Sequence, residues 1–148
     1  MKIIAQNRRA RYDYFLEEKF EAGIALVGTE VKSIRAGEVH LSEAFVEIRD
    51  NEVYINGMHV NHFRQGNQFN HEEDRRRKLL LNKREIKKLF DATQLQGYTI
   101  IPTKIYLKNG LVKLEIAIAK GKAQYDKRET VKKRDAQREI EKSLKQYR

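Results

Sequence analysis

At 148 residues, 40% of them apolar, the chain suits one modest core with tails rather than two domains. A formal net charge of +10, a pI near 9.8 and a mean hydropathy of −0.77 point to a polyanionic partner, nucleic acid before an anionic membrane. The absence of cysteine excludes disulfides, thiolate zinc sites and cysteine nucleophiles, and no apolar run nears the ~20 residues of a membrane span.

Residues 2–12 are basic and short of core side chains. Asn7, Arg8, Arg9 and Arg11 cluster beside Tyr12 and Tyr14, a mixture suited to phosphate contact and base stacking. A solvated, frayed terminus has the same composition. The segment carries only three consecutive apolar residues, so it does not read as a secretory signal. With no cysteine, the expectation is a cytoplasmic protein.

Residues 20–28 form a dense apolar run ending at Gly28 and read as a strand. Thr29 then reads as a helix N-cap, with Glu30 in the first turn where the helix dipole favours it. Val31, Ile34 and Ala36 share a face of this short helix, and Gly37 ends it. Residues 41–49 alternate through Ala44, Val46 and Ile48. Asp50-Asn51 makes a turn, and residues 52–56 return as a second strand.

Residues 64–77 are polar and almost without aliphatics, which predicts a mobile loop. Its Glu72, Glu73 and Asp74 face Arg75, Arg76 and Arg77 as a charge-balanced run. Lys78 and three leucines follow. Asn82 and Glu85 have capping-box spacing, and Ile86, Leu89 and Phe90 define the apolar face of a helix over about 83–94. Residues 98–107 and 111–119 are strands around Asn109-Gly110, the dipeptide of a tight hairpin turn. In the second strand Leu111, Lys113 and Glu115 alternate with Val112, Leu114, Ile116 and Ile118, so Lys113 and Glu115 point to solvent. These elements predict an all-β fold with peripheral helices, a small antiparallel barrel of the oligonucleotide-binding type. A half-open α+β sheet is the alternative.

No catalytic or metal-binding constellation is visible. His40, His59, His62 and His71 fit no HExxH or zinc spacing. No phosphate-binding loop or GxSxG elbow exists, so neither an enzyme, nor a metal, nor a cofactor, nor a small-molecule substrate is expected. What remains is Lys, Arg, Asn and Tyr on wet faces, the chemistry of recognition.

Residues 119–148 hold 11 Lys/Arg and 5 Asp/Glu, a net charge of +6 with little to bury. Such an end often orders only on contact with a polyanion. Asp126 and Glu129 have capping-box spacing. Ala136, Ile140, Leu144 and Tyr147 make one narrow helical stripe surrounded by Lys and Arg. The expectation is disorder in free solution and a helix when bound. Domain organisation thus reads as a barrel over 1–119 and a tail over 120–148.

Asn7-Arg8-Arg9-Ala10, the run from Glu17 to Gly23, and the run from Gly28 to Arg35 are similar to the start of the SmpB family, the SsrA-binding proteins of bacteria. The resemblance continues through residues 77–82, Glu85-Ile86, Gly97-Tyr98-Thr99, residues 119–122 and residues 125–128. It is colinear over nearly the whole chain. It implies an oligonucleotide-binding barrel that binds transfer-messenger RNA for trans-translation, acting as a monomer on stalled ribosomes.

By that resemblance one barrel face, here Asn7, Glu21, Leu80 and Lys113, docks the tRNA-like domain of the RNA. The wider set of expected RNA contacts is Arg8, Arg9, Arg11, Tyr12, Lys78, Asn82, Lys120 and Lys122. Glu21 is unusual among them, because a carboxylate repels phosphate. It would accept from a base amine or ribose hydroxyl, or hold a neighbouring cation. The tail, through Tyr125, Asp126, Lys127, Arg128, Lys132, Lys133, Arg134 and Arg138, would enter the rRNA-walled decoding centre of the small subunit and the messenger channel. Tyr12 and Tyr125 stand where some members carry histidine, which keeps a stackable ring but not an imidazolium. Ala123 interrupts a basic run, and Ala136 stands where some members carry tryptophan.

Overall fold

A computed structural model describes residues 1–63 and 70–122. In chain order the elements are β1 (Lys2–Gln6), α1 (Arg8–Asp13), β2 (Tyr14–Ile24), α2 (Gly28–Arg35), β3 (Val39–His40), β4 (Phe45–Arg49), β5 (Glu52–Asn56), β6 (His59–Val60), β7 (Arg77–Leu80), α3 (Lys83–Leu95), β8 (Thr99–Lys108) and β9 (Leu111–Gly121). Seven strands form one sheet in the order β1-β8-β9-β2-β7-β5-β4, and β3 pairs with β6. Every ladder is antiparallel. The sheet curls so that β4 also lies against β8. This is the expected antiparallel barrel with peripheral helices.

Alternation builds its two sides. Phe20 and Ala22 of β2, Leu79 of β7, Ile105 of β8, and Leu114 and Ile116 of β9 point inward. Ile34 of α2 and Leu89 and Ala92 of α3 close over them. A smaller cluster of Ala10, Ile101 and Ala119 seats α1 on the other side of the sheet. The outer side of β9 is therefore wet only part of the way: beyond Glu115, Ala117 and Ala119 are fully buried.

Local details differ from expectation for physical reasons. Residues 2–6 are a paired strand, because β8 supplies a backbone ladder that needs few apolar side chains. The strand expected over 20–28 is β2, which starts six residues earlier, at Tyr14, and ends at Ile24. Thr29 is not the cap of α2, since the helix begins at Gly28 after Val27. Phe90 is 43% exposed instead of joining Leu89 in the core. The Asn109-Gly110 turn forms as expected, with φ of 52° and 78°. Residues 64–69 of the expected loop lie outside the described residues, but its second half is anchored. Asn70 closes it, accepting from Phe63 N–H at 3.0 Å and donating to Phe63 C=O at 2.6 Å.

The charge-balanced run holds the clearest departure. Glu30 and Arg77 are fully buried. Arg77 Nε donates to Glu30 Oε2 at 2.5 Å, and its other nitrogens donate to C=O groups of Met58, Arg75, Glu72 and Glu73. Arg75 adds a 2.7 Å bond to Glu30 Oε1, and Val27 N–H donates to the same oxygen at 2.9 Å. Burial opposes the Glu30 charge, yet the hydrogen bonds from Arg75, Val27 and Arg77 outweigh it and hold the carboxyl below its ordinary range. The three arginines are thus not one solvated run: two clamp the loop to α2.

Candidate nucleic-acid interface

Strand register assembles a row of side chains on the outer side of the sheet. Tyr106 of β8 lies opposite Lys113 of β9. Lys113 lies opposite Gly23 of β2, and Gly23 lies opposite Leu80 of β7. Gly23 leaves a gap in this row, and Leu80 leans into it. A Cβ on Gly23 would stand 3.3 Å from the Cβ of Leu80. Leu80 is 53% exposed while Leu79 is 2% exposed, so Leu80 belongs to the surface and its neighbour to the core.

Glu21 stands beside this row, two residues before Gly23 and on the same side of β2. Tyr106 Oη donates to Glu21 Oε2 at 2.6 Å. Lys108 Nζ donates to the same oxygen at 3.2 Å. The tyrosine hydrogen bond lowers the Glu21 pKa against the opposing effect of desolvation, and Lys108 and Lys113 lower it further. Tyr106 is pushed up in turn, by burial first and by the carboxylate second. Glu21 is therefore a fixed, ionised acceptor. Lys113 makes no ion pair with another described residue and is the open cation of the row.

Neighbouring charges are matched. Glu115, opposite Glu21 across the β2–β9 ladder, pairs with Lys104 at 3.8 Å and accepts from the Thr103 hydroxyl. Lys78 reaches Glu52 at 2.9 Å, which lies next to the Arg76–Tyr54 stack, 4.2 Å from cation to ring.

The N-terminal residues form a second group. Gln6, Asn7, Arg8, Arg11, Lys19 and Lys104 line a cleft of about 280 Å³ between α1 and the outer side of the sheet. Asn7 is only 8% exposed. Its N–H donates to Thr103 C=O at 2.8 Å, and its Nδ2 donates to Pro102 C=O at 3.0 Å. Its Oδ1 has no partner among the described residues. Asn7 thus ties α1 to β8, whereas Arg8 and Arg11 remain exposed. Arg9 pairs with Glu43 at 3.4 Å, and Tyr12 is 82% exposed.

The remaining expected contacts divide. Asn82 caps α3, accepting from Glu85 N–H at 2.9 Å while Glu85 reaches back to its N–H at 3.2 Å. Lys122 Nζ donates to Arg11 C=O at 2.8 Å and sits 5.2 Å from the Phe15 ring, and Lys120 pairs opposite Phe15 on β9. The tail residues Tyr125, Asp126, Lys127, Arg128, Lys132, Lys133, Arg134 and Arg138 lie outside the described residues.

Sequence reasoning missed Tyr106 and Lys108 as the partners of Glu21. The signal was present, since a two-residue turn at Asn109-Gly110 fixes the register that puts Tyr106 opposite Lys113. Among the described residues, no group of three or more His, Asp and Glu could hold a metal ion, and no helix is long and apolar enough to cross a membrane.

Known proteins resemble this chain in sequence and fold. The SmpB protein family matches residues 4–146. The SsrA-binding protein of Geobacillus thermodenitrificans is 52% identical over 145 residues, 98% of this chain and 94% of the relative. That of Thermoanaerobacter pseudethanolicus is 56% identical over 146 residues, 99% of this chain and 94% of the relative. A solved structure described as "tmRNA-SmpB: a journey to the center of the bacterial ribosome" superposes with a TM-score of 0.67 at 42% identity, covering 79% of this chain and 82% of that one. With a match over nearly its full length and relatives above half identity, the chain belongs to the SmpB protein family.

Proposed function

We propose that the outer row of the barrel, Lys113, Leu80 and the Tyr106-held Glu21, docks the tRNA-like domain of transfer-messenger RNA. The chain binds transfer-messenger RNA and serves in ribosome rescue, as its SsrA-binding relatives and ribosomal structural match support. In this reading Lys113 meets a phosphate. Leu80, lying over Gly23, packs against a sugar or base. Glu21 accepts from a base amine or a ribose 2′-hydroxyl.

The observation that carries the reading is the fixed carboxylate beside an open lysine and an exposed leucine. Such a combination distinguishes one RNA surface from another, whereas a purely basic patch would read charge alone. Arg8 and Arg11 extend the surface from the α1 cleft. Asn7 acts by holding α1 in place.

The basic segment after Lys122 has a separate task in this reading, entering the decoding centre and messenger channel of the stalled ribosome. In this reading the barrel spans residues 1–119 and the tail residues 120–148, with β9 running on to Gly121. The protein acts by recognition rather than catalysis, as a monomer in the cytoplasm where ribosomes stall.

The test compares the full chain with one ending at Lys122. Selective binding to transfer-messenger RNA over an unrelated RNA of equal length should survive truncation, and peptide tagging on stalled ribosomes should be abolished. Affinity that falls in proportion to lost charge, with no preference between RNAs, would instead mark a general RNA-binding barrel.

A further inference from the structure

α3 carries a second surface that the outer row leaves unused. Lys83, Ile86, Lys87 and Phe90 are spaced three and four apart and form one stripe along the helix. With Asn51 from the β4–β5 turn they line an open cleft of about 340 Å³. Clefts of roughly 300–1,000 Å³ take small ligands. Ile86 packs downward on the core, and Phe90 stands 43% exposed above it. Asn51, held at φ 62°, brings an amide with both a donor and an acceptor to the rim.

The two surfaces are distinct. α3 is seated through Leu89 and Ala92 on the core side of the sheet. The row from Tyr106 to Leu80 lies on the other side of the same strands.

Charge selects the occupant. Residues 83–95 contain Lys83, Arg84, Lys87 and Lys88 against Glu85 and Asp91. Glu85 is engaged in the capping box, Asp91 pairs with Lys87 at 3.6 Å, and Lys88 pairs with Glu18 at 3.2 Å. Lys83 and Arg84 make no ion pair with another described residue. The Lys87 pair is surface-exposed, with the lysine at 77%, and such a pair yields readily to a stronger anion. A basic rim repels the chain's own residues 119–148, whose net charge is +6. An aromatic ring open to solvent and flanked by lysines is the arrangement that stacks a base and neutralises its neighbouring phosphates.

We propose that this cleft is a nucleotide site: one unstacked base of single-stranded RNA stacks on Phe90, with its flanking phosphates on Lys83 and Lys87 and its edge toward Asn51. The site is independent of the outer row and does not require that row to dock the tRNA-like domain.

The chain contains no tryptophan, so Phe90→Trp in the full-length chain reports on this cleft alone. Titrating it with hexauridylate at one fixed salt concentration should quench the indole saturably. Adding Lys83→Glu and Lys87→Glu should raise the midpoint roughly tenfold, while adding Lys113→Glu should move it less than about twofold. In the unsubstituted chain the Phe90 ring protons should shift over the same concentration range. The proposal is overturned if the emission and the ring protons stay unchanged while fluorescently labelled hexauridylate still binds the chain. It is equally overturned if Lys113→Glu moves the midpoint as far as the α3 charge reversals. An indole already shielded from acrylamide without RNA would show the chain's own tail in the cleft. Quenching by hexaglutamate at the same midpoint would show an acidic peptide site instead.

Discussion

Tyr106 reaches across β9 to donate its hydroxyl proton to Glu21, 2.6 Å away on β2. On the row proposed to dock RNA, the bond keeps the carboxylate ionised and aims its lone pairs. Tyr106→Phe removes that donor without opening a cavity. The Glu21 pKa should rise toward its ordinary value of 4.5, because the lost bond favoured the ionised form. Stability should fall by about 1 kcal/mol, and selectivity for transfer-messenger RNA over an unrelated RNA should weaken several-fold. Carboxyl NMR titration with a competition binding assay checks both.

Leu80 allows the proposed RNA contact to be tested apart from folding. Half exposed over Gly23, it contributes little to the core. Leu80→Ala should cost less than about 1 kcal/mol in denaturant unfolding, whereas Leu79→Ala, one residue away and buried, should cost about 2–5 kcal/mol. Only Leu80→Ala should selectively weaken RNA binding in the folded protein.

The buried Arg77–Glu30 pair is the structural keystone of the loop after residue 70. Arg77→Ala leaves the Glu30 carboxylate without its buried partner and frees carbonyls of Met58, Glu72 and Glu73 on two segments. The expected loss is about 3–5 kcal/mol, read as a lower denaturant midpoint with unchanged slope.

Acid should unfold the chain through the same network. Glu30 is held below its ordinary value of 4.5, so the unfolded chain takes up this proton at a higher pH than the folded chain does. The stabilisation is therefore fully present above about 4.5 and is lost as pH falls through the folded-state value. Unfolding free energies measured from pH 6 downward should decline below that point in the native sequence, and Glu30→Gln, already destabilised, should show a flatter decline.

Gly57 sits at φ 75°, and a Cβ there would lie 2.5 Å from the carbonyl oxygen of Glu43. Backbone conformation and space both forbid a side chain. Gly57→Ala should cost at least about 2 kcal/mol, a loss visible as a drop in thermal midpoint, while Gly110→Ala at the hairpin tip, with no atom within 4 Å, should cost less.

Features written in local chemistry were legible. Asn109-Gly110 dictates the hairpin because both residues accept positive φ, and Asn82 with Glu85 marks the start of α3 because each caps the other. The β4–β5 hairpin followed from alternation and the Asp50-Asn51 turn. Lys113 was placed on a wet face by period two, though its strand sinks into the core two residues beyond Glu115. What stayed hidden depends on partners distant in sequence. β1 exists because β8 offers a ladder, not because residues 2–6 are apolar. Glu30 and Arg77 are 47 positions apart, and a buried ion pair leaves no periodic trace, so Arg75 and Arg77 passed as a solvated run. Asn7 reads as polar and exposed until Pro102 and Thr103 are seen to hold it.

Competition binding decides whether the outer row, rather than charge alone, recognises transfer-messenger RNA. The most direct measurement is competition binding of the full chain and its Leu80→Asp and Lys113→Glu variants to transfer-messenger RNA against an unrelated RNA of equal length, at fixed salt. Both variants should fold, retain binding to the unrelated RNA within about threefold, and lose about tenfold or more toward transfer-messenger RNA. Equal losses toward both RNAs, or none toward either, would show that the outer row does not recognise transfer-messenger RNA.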